Sequence, residues 1–177
     1  MRMSRDMGQT WEYGGRMAED AMAHFSEPTI HRTLKGRILV LFRCHPGKLG
    51  PTILRQQGFD SSWAQEPQFV GRLLALVYSD DEGETWSPWQ PTIIHGSPGH
   101  ILGLRDGRIF LTVGTRWQGQ RGCVARVLNP EGTDLDTTPE LVIRDDALSP
   151  DCGYPWSVEL NDGRVLVVYW HHYTDDH

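Results

Sequence analysis

One eight-residue pattern occurs twice in this chain and constrains its fold more than any other feature. Residues 4–11 read SRDMGQTW and residues 79–86 read SDDEGETW, so both fit S-x-D-x-G-x-T-W. The recurrence of several specified positions in one order indicates a repeated structural unit rather than chance. The shared positions are Ser4, Asp6, Gly8, Thr10 and Trp11 in the first copy and Ser79, Asp81, Gly83, Thr85 and Trp86 in the second.

The chemistry of this pattern suits a tight turn between two antiparallel strands. An aspartate carboxylate can accept hydrogen bonds from backbone N–H groups of the turn, and glycine supplies a positive φ. Threonine and tryptophan favour the outgoing strand, where the indole can pack under the turn. We therefore assign the repeated residues a structural role in closing the turn and no catalytic role.

A second repeat consists of strand–turn–strand segments at residues 28–43, 100–113 and 154–169. Each contains a Gly-Arg pair that leaves the turn and enters an apolar, β-branched run, which is typical of a hairpin. A hairpin, then a strand ending at the first pattern, then a fourth strand make a four-stranded blade. Such blades repeated around an axis form a β-propeller, so the sequence predicts an all-β fold of this type.

The order of these units predicts a single domain over residues 1–177 that forms a partial propeller of about two and a half blades. In the second full blade the turn pattern is degenerate, because residues 129–133 read NPEGT. The predicted divisions are the end of a blade at 1–15, full blades at 26–95 and 97–144, and half a blade at 153–173.

Composition narrows the classes of partner. The formal net charge of −6 comes from interspersed charges, which argues against nucleic acid or an anionic membrane as partner. We expect no membrane partner, because no apolar run approaches the roughly 20 residues that span a bilayer. The first residues lack the apolar region of a signal peptide, so a cytoplasmic location is favoured.

The three cysteines, Cys44, Cys123 and Cys152, follow no metal-binding spacing, and we expect them to be reduced thiols. One disulfide with a free thiol is the alternative. The histidines of the C-terminal tail, residues 171–177, have no fixed scaffold, so a solvated tail is favoured over a metal site. No metal and no cofactor are therefore expected.

Strand direction predicts which end of the blades carries chemistry. The first two strands of a blade are antiparallel, so the start of the first and the end of the second lie together, opposite the repeated turns. Glu27 and Tyr154 stand at such starts, and Arg43 and Arg116 at such ends. Arginines can hold a carboxylate, and a tyrosine beside a glutamate is an activated nucleophile. Taken singly, each residue has an ordinary alternative as a strand-end polar group or a packed aromatic.

The S-x-D-x-G-x-T-W pattern is the Asp box, and the chain resembles the later half of a six-bladed propeller of the sialidase and BNR-repeat families. The resemblance implies that Tyr154 and Glu27 are the catalytic pair and that Arg43 and Arg116 bind the substrate carboxylate. It implies a retaining exo-α-sialidase-type hydrolase acting on terminal sialic acid or a related acidic sugar through a tyrosine nucleophile. The matching segments are SEPTI at 26–30 running to Arg43, SPGH at 97–100 running to Arg116, and GYP at 153–155.

Two parts of the family's site have no match in this chain. The family's first carboxylate-binding arginine and its acid/base aspartate belong to earlier blades, and Asp60 matches the aspartate poorly. We therefore expect the isolated chain to be an impaired catalyst. A non-catalytic carbohydrate-binding or scaffold propeller and an inactive truncated fragment remain alternatives. Because a partial propeller exposes strand edges, a homo-oligomer formed through those edges is also expected.

Overall fold

The computed structural model describes residues 1–45, 52, 56, 73–96, 98–117 and 119–172. The described residues form twelve β-strands. The strands are β1 (Arg2–Met3), β2 (Glu12–Tyr13), β3 (His24–Arg32), β4 (Ile38–His45), β5 (Leu73–Ser79), β6 (Gln90–His95), β7 (Gly99–Gly103), β8 (Ile109–Trp117), β9 (Gln120–Leu128), β10 (Leu141–Arg144), β11 (Gly153–Glu159) and β12 (Val165–Trp170).

These strands pair in four antiparallel sheets, which confirms the prediction of an all-β chain. β3-β4-β5-β6 and β7-β8-β9-β10 are four-stranded, and β1-β2 and β11-β12 are two-stranded. Within every sheet, strands that are adjacent in space are also consecutive in the sequence, as expected for sheets built from successive hairpins. The first four-stranded sheet begins at His24, slightly before the predicted start at residue 26.

The largest of three buried apolar clusters among the described residues lies where the two four-stranded sheets face each other. The central strands β4, β5, β8 and β9 are mostly buried on both faces, while the edge strands β3 and β11 alternate between more and less exposed residues. Burial of these large side chains removes apolar surface from water and stabilises the packing of one sheet on the next. The core side chains include Leu41, Leu74, Ile94, Ile109, Leu111, Val113 and Val124.

β7 and β11, the first strands of the last two sheets, each pack on the sheet before their own. β7 contacts β3 and β4, and β11 contacts β7 and β8, so the same step occurs twice along the chain. β7 therefore contacts both β3 and β11, the two strands on which Glu27 and Tyr154 lie. No helix among the described residues is long and apolar enough to cross a bilayer.

The two Asp-box turns have the same hydrogen bonds. Asp81 Oδ1 accepts from Thr85 N–H at 2.8 Å, and Asp81 Oδ2 accepts from Thr85 Oγ1 at 2.6 Å. Asp6 and Thr10 repeat both bonds at 2.8 and 2.6 Å. The threonine bonds, assisted by the serine hydroxyl, lower the pKa of both aspartates to about 2. Each turn thus holds an ionised carboxylate that caps its own backbone.

The degenerate third turn is closed by an asparagine instead. Asn129 Oδ1 accepts from Thr133 N–H at 3.3 Å, and Asn129 Nδ2 donates to Thr133 Oγ1 at 2.8 Å. Asn129 and Thr133 have the same spacing as Asp81 and Thr85. An amide can therefore close this turn with one acceptor and one donor, without a charge.

Candidate functional site

Tyr154 and Glu27 meet at the start of their strands although 127 residues separate them in the sequence. Tyr154 Oη donates a hydrogen bond to Glu27 Oε1 at 3.2 Å. Arg43 Nη1 donates to the same oxygen at 3.0 Å and forms an ion pair with Glu27. One carboxylate oxygen therefore receives both a phenol and a guanidinium.

Arg116 completes this group from the side of Tyr154. Its guanidinium carbon lies 5.0 Å from the centre of the Tyr154 ring, within the range of a cation–π contact. The structure thus brings all four predicted site residues into one connected group of side chains. Their roles in binding or catalysis stay predictions.

Bulges at equivalent places position Glu27 and Tyr154. The register of β3 on β4 shifts between Ser26 and Thr29, and that of β11 on β12 shifts between Gly153 and Trp156. Glu27 and Tyr154 lie inside these irregular stretches, where the regular alternation of side chains is interrupted. A bulge can re-aim a side chain, so each strand start can direct a polar group away from the packed faces.

The backbone at both residues is in the left-handed region, with φ of 49° at Glu27 and 51° at Tyr154. Such angles are uncommon for residues other than glycine and cost about 1–3 kcal/mol each. The other two such residues in the described part of the chain, Met7 and Glu82, lie in the Asp-box turns. Outside those turns, the described chain therefore concentrates this strain at the two residues joined by the phenol–carboxylate bond.

Several polar atoms of the group are buried without a hydrogen-bond partner among the described residues. They are Glu27 Oε2, Arg43 Nε, and both Nε and Nη2 of Arg116. Buried polar atoms are normally paired, so four unpaired ones within a single group of side chains are unusual. The side chains of Arg43 and Glu27 are 17% and 29% exposed, so the group is partly open to solvent.

His100 on β7 and Ser157 on β11 form a second contact between strands, three residues along β11 from Tyr154. The Nδ1 atom of His100 lies 2.9 Å from Ser157 Oγ and accepts from Ser157 N–H at 3.2 Å. The His100 ring stacks on Trp156 at 4.2 Å between centroids, and burial lowers the pKa of His100. In the sequence, His100 stood out only as the last residue of the SPGH segment and as the start of a hairpin, and neither feature predicted this contact.

Thiols and metals offer no competing site in the part of the chain that is described. Cys44, Cys123 and Cys152 are buried free thiols, and burial raises the pKa of Cys44 and of Cys123 to about 12. They are therefore poor nucleophiles. Among residues 1–45, 73–96, 98–117 and 119–172, no group of three or more His, Cys, Asp or Glu side chains could hold a metal ion. Asp60 lies outside the described residues.

The fold is similar to that of three solved structures. A protein of unknown function from Dyadobacter fermentans DSM 18053 aligns with 97% of this chain at 33% identity and a TM-score of 0.79. Two structures of the NanB sialidase, one a point mutant from Streptococcus pneumoniae and one with Optactamide, align with 98% of it at 21% identity, with TM-scores of 0.59 and 0.57. The likeness to NanB is therefore one of fold.

The chain spans only part of these proteins, 40% of the Dyadobacter protein and 24% of NanB. No family model and no curated protein matches the sequence.

Proposed function

We propose that the chain forms about two and a half blades of a sialidase-type β-propeller. Two observations support this architecture. The first is the repeated step that packs β7 on β3 and β11 on β7. The second is the alignment of nearly the whole chain with part of NanB. In this arrangement Glu27 and Tyr154 lie at the axial ends of first strands, and the Asp boxes lie at the opposite rim.

The proposed activity is exo-hydrolysis of a glycoside whose terminal sugar is sialic acid or a related acidic sugar. The hydrogen bond from Tyr154 to Glu27 is the observation that carries this proposal, since it joins a phenol to a carboxylate able to take its proton. The two arginines that flank the pair provide positive charge at the same place. Together they would serve a nucleophile and an anionic substrate.

A tyrosine suits an acidic sugar for an electrostatic reason. A substrate with a carboxylate on its anomeric carbon repels a carboxylate nucleophile, whereas a neutral phenol approaches without that repulsion. Tyr154 would attack the anomeric carbon while its proton passes to Glu27, and the glycosidic oxygen would leave with a proton from another acid. Water would then release the sugar with net retention of configuration.

The buried unpaired nitrogens of Arg116 suit the substrate's carboxylate. Two guanidinium donors on one edge can bind the two oxygens of a carboxylate at once, and this geometry is stronger than a single contact. Both nitrogens are buried in this arrangement, so a carboxylate would reach them only after a neighbouring side chain moves aside. It would then pair donor atoms that are otherwise unsatisfied. The same argument predicts that neutral sugars bind more weakly.

A carbohydrate-binding function without turnover is the second candidate. Glu27 is the carboxylate that hydrogen-bonds Tyr154, and no second carboxylate among the described residues bonds to this pair. Loss of a general acid costs a factor of about 10²–10⁴ in rate, whereas sugar binding does not need that acid and would be retained. An inactive fragment is the third alternative, and it differs from the others in showing no binding.

Calorimetry with free sialic acid and a fluorogenic sialoside assay test the proposal on the same preparation. We expect measurable binding, slow turnover, and a loss of about 100-fold or more in turnover for Tyr154→Phe with binding retained. Arg116→Ala should weaken binding about tenfold or more, because charged hydrogen bonds are lost. Tyr13→Phe, which changes an exposed tyrosine on β2, is the matched control.

Binding and turnover together separate the three alternatives. Binding without turnover in the unsubstituted chain would support the binding function and remove the hydrolase. Absence of both would remove the two functional proposals and leave the inactive fragment. Equal losses in Tyr13→Phe and Tyr154→Phe would show that the assay does not report on the site.

A further inference from the structure

We propose that His100 and Thr29 are positioning residues that, acting through β7, set Tyr154 at hydrogen-bond distance from Glu27. The inference rests on the proposed function, because it concerns the alignment of that catalytic pair. It gives β7, which carries none of the four predicted site residues, the role of holding two of them in place.

β7 bonds to both strands of the pair through neighbouring residues. On one side, Ile101 N–H donates to Thr29 Oγ1 of β3 at 3.0 Å. On the other side, Ser157 N–H of β11 donates to His100 Nδ1 at 3.2 Å. Thr29 lies two residues after Glu27 and Ser157 three residues after Tyr154, so this path is far shorter than the 127 residues of intervening chain.

Backbone pairing alone does not fix this separation. β3 and β11 belong to different sheets, so no ladder of backbone hydrogen bonds connects them. Both strands are also irregular at their starts, where the register shifts lie. The relative position of Glu27 and Tyr154 therefore depends on contacts between sheets, and the two side-chain bonds to β7 are directional contacts of this kind.

The chemistry at His100 is specific to a neutral ring. A backbone N–H can only donate, so Nδ1 of His100 must carry its lone pair, and the ring proton is on Nε2. The ring is buried against Trp156, and this burial lowers the pKa of His100 and favours its uncharged form. An asparagine can place its Oδ1 where Nδ1 lies, whereas a leucine fills similar space without an acceptor.

The chemistry at Thr29 allows an equally close test. Valine has nearly the shape of threonine but lacks the hydroxyl, so Thr29→Val removes the acceptor for Ile101 N–H and little else. This substitution acts on β3, while substitutions at His100 act on β11. Agreement between the two would locate the effect in β7 rather than in either outer strand.

Fluorine NMR of the isolated chain labelled with fluorotyrosine reports on this pair without requiring activity. Tyr154→Phe identifies the resonance of Tyr154, and Glu27→Gln gives its position when the carboxylate is replaced. We expect His100→Leu and Thr29→Val to move the Tyr154 resonance toward the Glu27→Gln position. His100→Asn should leave it near that of the unsubstituted chain.

Ser87→Ala is the matched control, since Ser87 Oγ also accepts from a backbone N–H, that of Tyr78, at 3.0 Å. Tyr78 pairs with Leu39, four residues along β4 from Arg43, so this bond lies toward the Asp-box end. Circular dichroism checks that each variant is folded, and Thr29→Val keeps the test valid if His100→Leu does not fold. Where turnover is measurable, His100→Leu and Thr29→Val should lower kcat about 10–100-fold with KM changed less.

Three results would overturn the inference. These are an unmoved Tyr154 resonance in folded Thr29→Val, an equal displacement in Ser87→Ala, or a failure of His100→Asn to preserve the resonance. The proposed function fails separately, by absence of sugar binding and turnover, and that result leaves the NMR comparison intact.

Discussion

At the scale of single residues, Asp81 and Asn129 each close a turn by bonding a threonine four residues later, but with different hydrogen bonds. Asp81 uses two oxygens to accept from the N–H and hydroxyl of Thr85. Asn129 uses one oxygen to accept from Thr133 N–H and its amide to donate to Thr133 Oγ1. The threonine hydroxyl reverses its part in the bond, since it can donate or accept. The third turn is therefore a natural precedent for replacing aspartate in the other two.

We expect Asp81→Asn to keep most of the stability at pH 7, whereas Asp81→Ala lowers it. The folded chain lowers the pKa of Asp81 from 3.8 to about 2. The stability this carboxylate contributes is thus full above its unfolded pKa and is lost as pH falls from 3.8 through about 2. Urea midpoints at pH 7, 4 and 2.5 should fall less steeply with acid in Asp81→Asn. A parallel fall in both proteins would contradict this account.

At the scale of elements, Gly153 fixes how closely β11 approaches β8. Its φ is +100°, and a Cβ at this position would lie 2.9 Å from Gly114 Cα. It would also lie 3.6 Å from Gly122 O, so backbone surrounds the site on two sides. Because Tyr154 follows directly, the start of β11 and the aim of the phenol depend on this close contact of backbones.

Gly153→Ala should destabilise the chain by more than about 1 kcal/mol and weaken any ligand binding that needs Tyr154. Gly163→Ala is the control, since Gly163 also has a positive φ, +85°, but a Cβ there would meet nothing within 4 Å. The control therefore carries the backbone strain without the steric contact. Thermal unfolding and calorimetry of both variants measure the difference, and equal losses would show that strain alone matters at Gly153.

Local chemistry made the sheets and the ends of the strands predictable. Apolar runs and turn residues indicated β4, β8 and their partners, and strand direction placed Tyr154 and Arg43 at corresponding ends. The contact of His100 with Ser157 was not predictable in this way, because it depends on how one sheet packs on the next. The bulge at Tyr154 was not predictable either, since no residue type near it in the sequence indicates where the register of β11 on β12 shifts.

At the scale of the whole molecule, the sheet β11-β12 leaves one face uncovered in the described part of the chain. Alternate residues of both strands are exposed there, and Trp156 and Trp170 are 67% and 58% exposed. Exposed apolar faces and free strand edges favour association, and identical chains supply identical edges. We propose that a second copy of this chain covers this sheet. The exposed residues on the face are Trp156, Val158, Leu166, Val168 and Trp170.

Sedimentation at micromolar concentration should show an oligomer, and Val168→Lys should reduce its fraction severalfold, because a charge disfavours burial on that face. Val142→Lys is the control, since Val142 on β10 has the same 57% exposure on another sheet. A monomer in the unsubstituted chain would contradict the proposal. An equal effect of both variants would show that the interface is not specific to the β11-β12 sheet.

The backbone angles at Glu27 and Tyr154 set stability against the proposed ligand binding, because the two side chains that binding needs stand on strained backbone. Glycine would adopt these angles freely, but it would delete the carboxylate and the phenol. Selection for thermal stability alone would therefore favour glycine at both positions and would leave the sheets intact without the phenol–carboxylate pair.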